Sequence, residues 1–215
     1  EVMHTALSYF QAGRADAGYK LLKSSVLDGM YLGDSPGNFG QISFYDAARG
    51  ECYRDFGDPI GVASRVLIQG LFGILPDALN QQIILRPGFP DDWDKASVST
   101  PDISYRFTRK EDTDTYHITQ RFQTPLHPVL QINARKEKIR SVKVNDVPAT
   151  WQSIESAHGY PLLSIQAEGT SSTTITIEWE GASLHTLAVQ ELVIASNGKL
   201  ALQIPSGASI SQVYD

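Results

Sequence analysis

The run Asp58-Pro59-Ile60-Gly61-Val62-Ala63-Ser64-Arg65-Val66-Leu67-Ile68-Gln69-Gly70-Leu71-Phe72-Gly73-Ile74 constrains this chain more than any other, because a helix ends there and the hydrophobic period changes immediately afterwards. Asp58 is a good N-cap, since its carboxylate can accept from the free amides of a first turn. Pro59 suits the first helical position, where its missing N–H costs nothing. Ile60, Ala63, Val66/Leu67, Leu71 and Ile74 recur at three- and four-residue spacing and predict one apolar face. Gly73 and Pro76 supply the stop.

From residue 82 the period is two. Ser97 to Arg109 alternates through Val98, Ile103, Tyr105 and Phe107, the group Lys110 to Asp114 turns the chain, and Tyr116, Ile118, Gln120 and Phe122 return. Val129 to Ala134, Ser141 to Val144, Leu162 to Gln166 and Thr173 to Trp179 read as further strands. Asn145-Asp146 marks a hairpin, and Asn197-Gly198 between Gln190–Ala195 and Lys199–Ile204 marks another. Roughly eight or nine short strands with regular turn signals predict an antiparallel β-sandwich.

Upstream, Val2, Met3, Ala6, Leu7 and Phe10 share one helical face. Gly13 breaks that helix, and Asp16 is placed to cap a second through Tyr19, Leu22, Val26 and Leu27. The fold class expected is therefore α+β, with about three helices before the sandwich. The division expected is a helical segment over 1–81 and a β-sandwich over 82–215. Between the second and third helices, residues 28–57 form a glycine- and aromatic-rich stretch without periodicity. A loop of that length inside a compact domain is usually functional.

Composition narrows the partners. The 215 residues carry a net charge of -6 with 20% charged residues, which argues against the clustered basic face a nucleic acid needs. The longest basic run, Arg135-Lys136-Glu137-Lys138-Ile139-Arg140, contains a glutamate and reads as a solvated hairpin. Cys52 is the only cysteine, so neither an intrachain disulfide nor a thiolate metal cluster is available. The histidines (His4, His117, His127, His158, His185) never fall at metal-ligand spacing, and no glycine pattern cradles a phosphate before a helix. No metal or other cofactor is expected. No apolar run approaches the ~20 residues that span a bilayer. The chain opens in helical pattern at Glu1-Val2-Met3-His4 and closes on Val213-Tyr214-Asp215, and both ends read as cut from something longer.

The segment Gly70-Leu71-Phe72-Gly73-Ile74-Leu75-Pro76-Asp77, with Ile83-Ile84-Leu85-Arg86-Pro87 and Asp91-Asp92-Trp93 after it, resembles the end of a bacterial six-hairpin glycosidase of the α-L-rhamnosidase-like group. The hairpin Gln11 to Tyr19 is similar to the helical hairpins of such barrels. The resemblance implies the last helices of an α/α toroid joined to a C-terminal β-sandwich, of a kind often labelled as a domain of unknown function. It implies a carbohydrate partner and a periplasmic or extracellular, bacterial setting. A glycoside hydrolase acting on plant or host glycans, with the sandwich as accessory domain, is the first function implied. A non-catalytic carbohydrate-binding or structural interaction module is the alternative. Apolar helix faces left by absent upstream helices point to self-association or to packing on such helices.

Glycoside hydrolysis needs two carboxylates flanking the scissile bond. In the resembling barrels the loops before inner helices line the substrate pocket, which makes Asp55 and Glu51 candidate catalytic residues, while Asp58 is better explained as a cap. No residue matches the family's general acid, so this chain alone is expected to be inactive. Tyr31, Tyr45, Tyr53 and Trp93 are candidate sugar-stacking residues, although Trp93 is better explained by packing at the joint between helices and sandwich. Trp151 and Trp179 sit in strand-period positions and read as core or sheet surface.

Overall fold

The computed structural model describes residues 2–28, 31, 58–154 and 161–184. Among the described residues, three helices precede two β-sheets that pack as a sandwich. Helices α1 (Val2–Gln11) and α2 (Ala15–Leu27) form an antiparallel hairpin through Gly13, whose φ of 71° only glycine takes freely. Met3, Ala6, Leu7 and Phe10 are buried on α1, the face expected from their spacing. Asp16 does not cap α2. The helix begins one residue earlier, its N-cap Arg14 makes no side-chain cap, and Asp16 Oδ1 instead accepts from the Asp91 backbone N–H at 3.3 Å.

Helix α3 is described over Asp58–Arg65, and the capping expected of Asp58 lies outside the described residues. It does not continue as a uniform α-helix. Val66–Leu71 is a π-helical turn, closed by a bond from Phe72 N–H to the Leu67 carbonyl at 3.0 Å. The wider turn breaks the three-and-four spacing read from the sequence. Val66 and Leu71 stay buried, while Leu67 is turned outward and Gly70 inward.

Strand β1 (Ile74–Asp77) follows at once and pairs antiparallel with β2 (Gln82–Leu85), so the first strand lies before the period-two segment. The remaining strands are β3 (Lys95–Ser99), β4 (Ile103–Lys110), β5 (Thr113–Gln120), β6 (His127–Asn133), β7 (Lys136–Val144), β8 (Val147–Pro148), β9 (Gln152–Ile154), β10 (Leu162–Gln166) and β11 (Ser172–Ser183). One sheet runs β1-β2-β6-β10-β9 and the other β3-β4-β5-β11-β7-β8. Among the described strands, pairing is antiparallel except between β2 and β6, which are parallel. The whole β3-β4-β5 meander in the opposite sheet separates those two strands, and such a long connection allows the chain to return in the same direction.

Ile83, Leu85, Leu130 and Ile165 of the first sheet are buried, as are Tyr105, Phe107, Ile118, Ile175, Ile177 and Trp179 of the second, and all belong to one core. Two turn readings change. The group after Lys110 is a tight turn at Glu111-Asp112, and Asp114 already lies inside β5. The basic run is no loop, since Lys136 to Arg140 is the first half of β7. Asn145-Asp146 does turn β7 into β8, both residues having positive φ as a two-residue hairpin of type I′ requires. The expected Asn197-Gly198 hairpin lies outside the described residues.

Candidate functional site

The motif residues that carry the sequence resemblance converge on one place, the joint between helices and sandwich. Gly73 has a φ of 65°, and a Cβ there would overlap the Arg86 carbonyl. The two backbones are bonded, Arg86 N–H donating to the Gly73 carbonyl at 2.8 Å and Gly88 N–H to the Leu71 carbonyl at 3.0 Å. Arg86 Nε and Nη2 both donate to Gln131 Oε1, tying the segment after β2 to β6. The Phe10 ring fits against Gly18, Gly70 and Gly88, one glycine from each of the three segments that meet there. Trp93 meets Tyr19 of α2 edge-on at 4.9 Å and lies parallel to Phe89 at 6.1 Å. Phe89 in turn contacts Phe72, Tyr105 and Phe107. An aromatic chain therefore runs from the helical hairpin into the sandwich core, and such pairs contribute beyond the area they bury.

Behind the joint sits a buried ionic cluster. Asp114 is 1% exposed. Its carboxylate accepts from Arg109 Nε at 2.8 Å and Nη2 at 3.4 Å, and from Trp179 Nε1 at 3.0 Å. Arg135 Nε lies 3.4 Å away as an ion pair but is not aligned for a hydrogen bond. Arg109 also covers the Phe107 ring and donates to the Asp91 carbonyl at 3.0 Å, which links the cluster to the joint. A carboxylate held by this many donors is a structural anion rather than a base awaiting substrate. The nearby Tyr105 and Tyr116 phenols are pushed up by burial, Tyr105 further by Tyr116 and Tyr116 further by Asp114, and both stay neutral.

Carboxylates nearer the surface behave differently. Burial and then the Asp16 and Asp92 carboxylates push the Asp91 carboxyl up, against a downward pull from Arg109. The hydrogen bond from Lys136 holds Asp112 below the usual range. Glu168 is exposed, and Glu178 pairs with Lys143 at 3.8 Å.

Of the candidates named from the sequence, Tyr31 is 66% exposed and Trp93 is the half-buried joint residue described above. Glu51, Asp55, Tyr45 and Tyr53 lie outside the described residues, as do Cys52, His158 and His185. Trp179 is core, while Trp151, between β8 and β9, is 43% exposed. Among the described residues no group of three or more His, Cys, Asp or Glu side chains is arranged to hold a metal ion. No helix among them is long and apolar enough to cross a membrane, which leaves β-barrels unaddressed.

Sequence reading missed the Asp114 cluster by assigning that residue to a turn. The signal was present: Asp114, Tyr116, Ile118 and Gln120 share one parity, and that parity is the buried one.

The architecture defines a class, a short helical segment joined to a two-sheet β-sandwich. No family model matches the chain, and no curated protein matches it. Two solved structures show a distant, partial match. The α-L-rhamnosidase from Dictyoglumus thermophilum is 14% identical with a TM-score of 0.42, the match covering 78% of this chain and 21% of that one. The Streptomyces avermitilis α-L-rhamnosidase, solved in complex with L-rhamnose, is 14% identical with a TM-score of 0.39, covering 75% and 15% respectively. The chain spans about a fifth or less of the length of those enzymes.

Proposed function

We propose that this chain is a non-catalytic region of a bacterial carbohydrate-active protein, in which the β-sandwich binds carbohydrate or buttresses a neighbouring part of the protein. One observation carries the reading. The residues through which the sequence resembles six-hairpin glycosidases (Gly70, Gly73, Arg86 and Trp93 among them) are engaged in building the joint. What the motif encodes here is a rigid attachment of helices to sandwich, with Trp93 held between Tyr19 and Phe89. A carbohydrate setting follows from the resemblance, and so does a periplasmic or extracellular location.

The competing reading, a glycoside hydrolase with the sandwich as accessory domain, assigns its chemistry to Asp55 and Glu51 in the loop before α3 and to a longer protein. The two readings part in a direct experiment. Purified chain is screened for oligosaccharide binding beside a fold-preserving Trp93→Phe variant. Retained binding in the variant supports a sandwich that works away from the joint. Binding lost in a variant that still folds would make Trp93 a sugar platform and favour the pocket of the hydrolase reading.

A further inference from the structure

We propose that the outer face of the six-stranded sheet, over β3–β5, binds an acidic polysaccharide. The inference rests on the carbohydrate reading above and adds to it the site and the charge of the polymer.

Register and burial define the face. Tyr105, Phe107, Tyr116 and Ile118 point into the core, so the alternate residues of β4 and β5 point out. Lys95 stands opposite Thr108, and Arg106 lies between Ser97 and His117. Lys110 stands opposite Thr113, and Arg121 follows directly after β5 on the same parity. The charged side chains that β3, β4 and β5 send to this side are thus Lys95, Arg106, Lys110 and Arg121, all cationic, in a chain whose net charge is -6. Carboxylates of this meander stand at its turns or, as Asp114, inside the core. Lys95, Arg106 and Lys110 form no ion pair with any described residue. Further across the sheet the charges cancel, since Lys143 meets Glu178.

The spaces between the cations are filled with hydroxyls rather than apolar groups. Ser99 and Ser104 are 3.0 Å apart, and Arg121 Nη2 donates to Ser104 at 2.9 Å. His117 Nδ1 and Thr174 Oγ1 are hydrogen-bonded at 2.9 Å, which ties the imidazole to the neighbouring strand. An open sheet face suits an extended polymer, whereas a small ligand needs a concave pocket. Along β4, Arg106 and Lys110 are about 13 Å apart at the ordinary rise of a strand, room for several repeats of a sugar chain between two ionic contacts. Polymer hydroxyls match the Ser and Thr rows, and polymer carboxylates match the cations. A nucleic acid fits less well, because among the described residues this side offers no Phe, Tyr or Trp on which a base could stack.

The test uses the full 215-residue chain with polygalacturonate, a neutral galactan and a DNA duplex as probes. Expected is binding to polygalacturonate that weakens between about 50 and about 300 mM salt as surface charges are screened. The double substitution Lys95→Gln with Arg106→Gln should weaken it at least about tenfold, whereas Lys20→Gln with Lys23→Gln on α2, an equal loss of charge, should change it less than about twofold. Both variants must retain the parent melting temperature, and Lys110→Gln with Arg121→Gln serves as a second face pair. Neutral galactan bound equally well and indifferent to these substitutions would overturn this inference and leave the carbohydrate reading standing. Failure to bind either polysaccharide would overturn this inference and leave buttressing as the role of the sandwich. Equal loss in the α2 control, or DNA bound as tightly as polygalacturonate, would reduce the effect to general charge and overturn the assignment.

Discussion

Phe10 and Gly70 are in such close contact that a Cβ on Gly70 would lie 2.7 Å from Phe10 Cδ2. The π-helical turn over Val66–Leu71 presents the bare backbone of Gly70 to that ring, and Gly18 and Gly88 complete the surround. An irregular helix is tolerated here because it brings a main chain, rather than a side chain, against the aromatic ring.

Gly70→Ala should therefore destabilise the protein by about 1–3 kcal/mol, the usual cost of overpacking a well-filled site. Phe10→Leu in the same chain should recover part of that loss, since both changes act on one contact. Chemical denaturation of the two single variants and the double variant reads the coupling. Strict additivity would mean that the ring and the glycine are energetically independent.

Gly73→Ala should be worse. The left-handed φ of 65° and overlap with the Arg86 carbonyl act together, so a loss above roughly 4 kcal/mol is expected. Gly61, with open space around its Cβ position and an ordinary helical φ, is the control, and Gly61→Ala should be neutral or stabilising by up to about 1 kcal/mol. Thermal melts of both variants decide it.

Asp114→Ala should cost about 3–5 kcal/mol, because it strands the Arg109 and Arg135 charges and the Trp179 N–H. The near-ultraviolet signal of the indole should change with it. Asp114→Asn, which keeps an acceptor for Trp179, should fall between that variant and the parent. An unperturbed melt in Asp114→Ala would show that the cluster contributes no net stability.

The two surface carboxylates should give opposite pH responses. Asp91 has its folded pKa raised, so its penalty is absent at low pH and grows as pH rises from the usual carboxylate value of about 3.9 through the raised one. Asp91→Asn should consequently melt above the parent at neutral pH, with the difference gone at about pH 3. Asp112 has its folded pKa lowered by Lys136, so its contribution is present at neutral pH and is lost as pH falls through that lowered value. Asp112→Asn should lower the neutral-pH melt and converge with the parent only in stronger acid. Melting curves over pH that move in the same direction for both variants would contradict these signs.

The fold was legible where local chemistry decides. Alternation along β5, β10 and β11 placed those strands, whereas the single run read over Ser97 to Arg109 is two antiparallel strands, β3 and β4, and the Asn145-Asp146 turn was readable from its residue types. The parallel pairing of β2 with β6 was not, since it depends on the three-strand meander in the opposite sheet. The π-helical turn was also hidden, because the contact that turns Gly70 inward is with Phe10, far away in the sequence. Trp93 was correctly placed at the joint as one of its two alternatives. The outer cationic face escaped notice because Lys95, Arg106, Lys110 and Arg121 are scattered in sequence and meet only through strand register. The contiguous basic run, by contrast, was conspicuous in sequence, yet Arg135 is used against Asp114 and Lys136 against Asp112.

The central claim, that this chain is a carbohydrate module without hydrolysis of its own, is tested most directly by turnover. Glycoside hydrolysis by paired carboxylates requires two groups about 5–10 Å apart across one bond, and the resemblance supplies candidates for only one wall of such a pocket. The purified 215-residue chain is incubated with a panel of aryl glycosides, aryl α-L-rhamnoside included, beside its Asp55→Asn and Glu51→Gln variants. The account predicts release of the aryl group no faster than in buffer for all three proteins. Turnover by the parent chain that either substitution abolishes would contradict it.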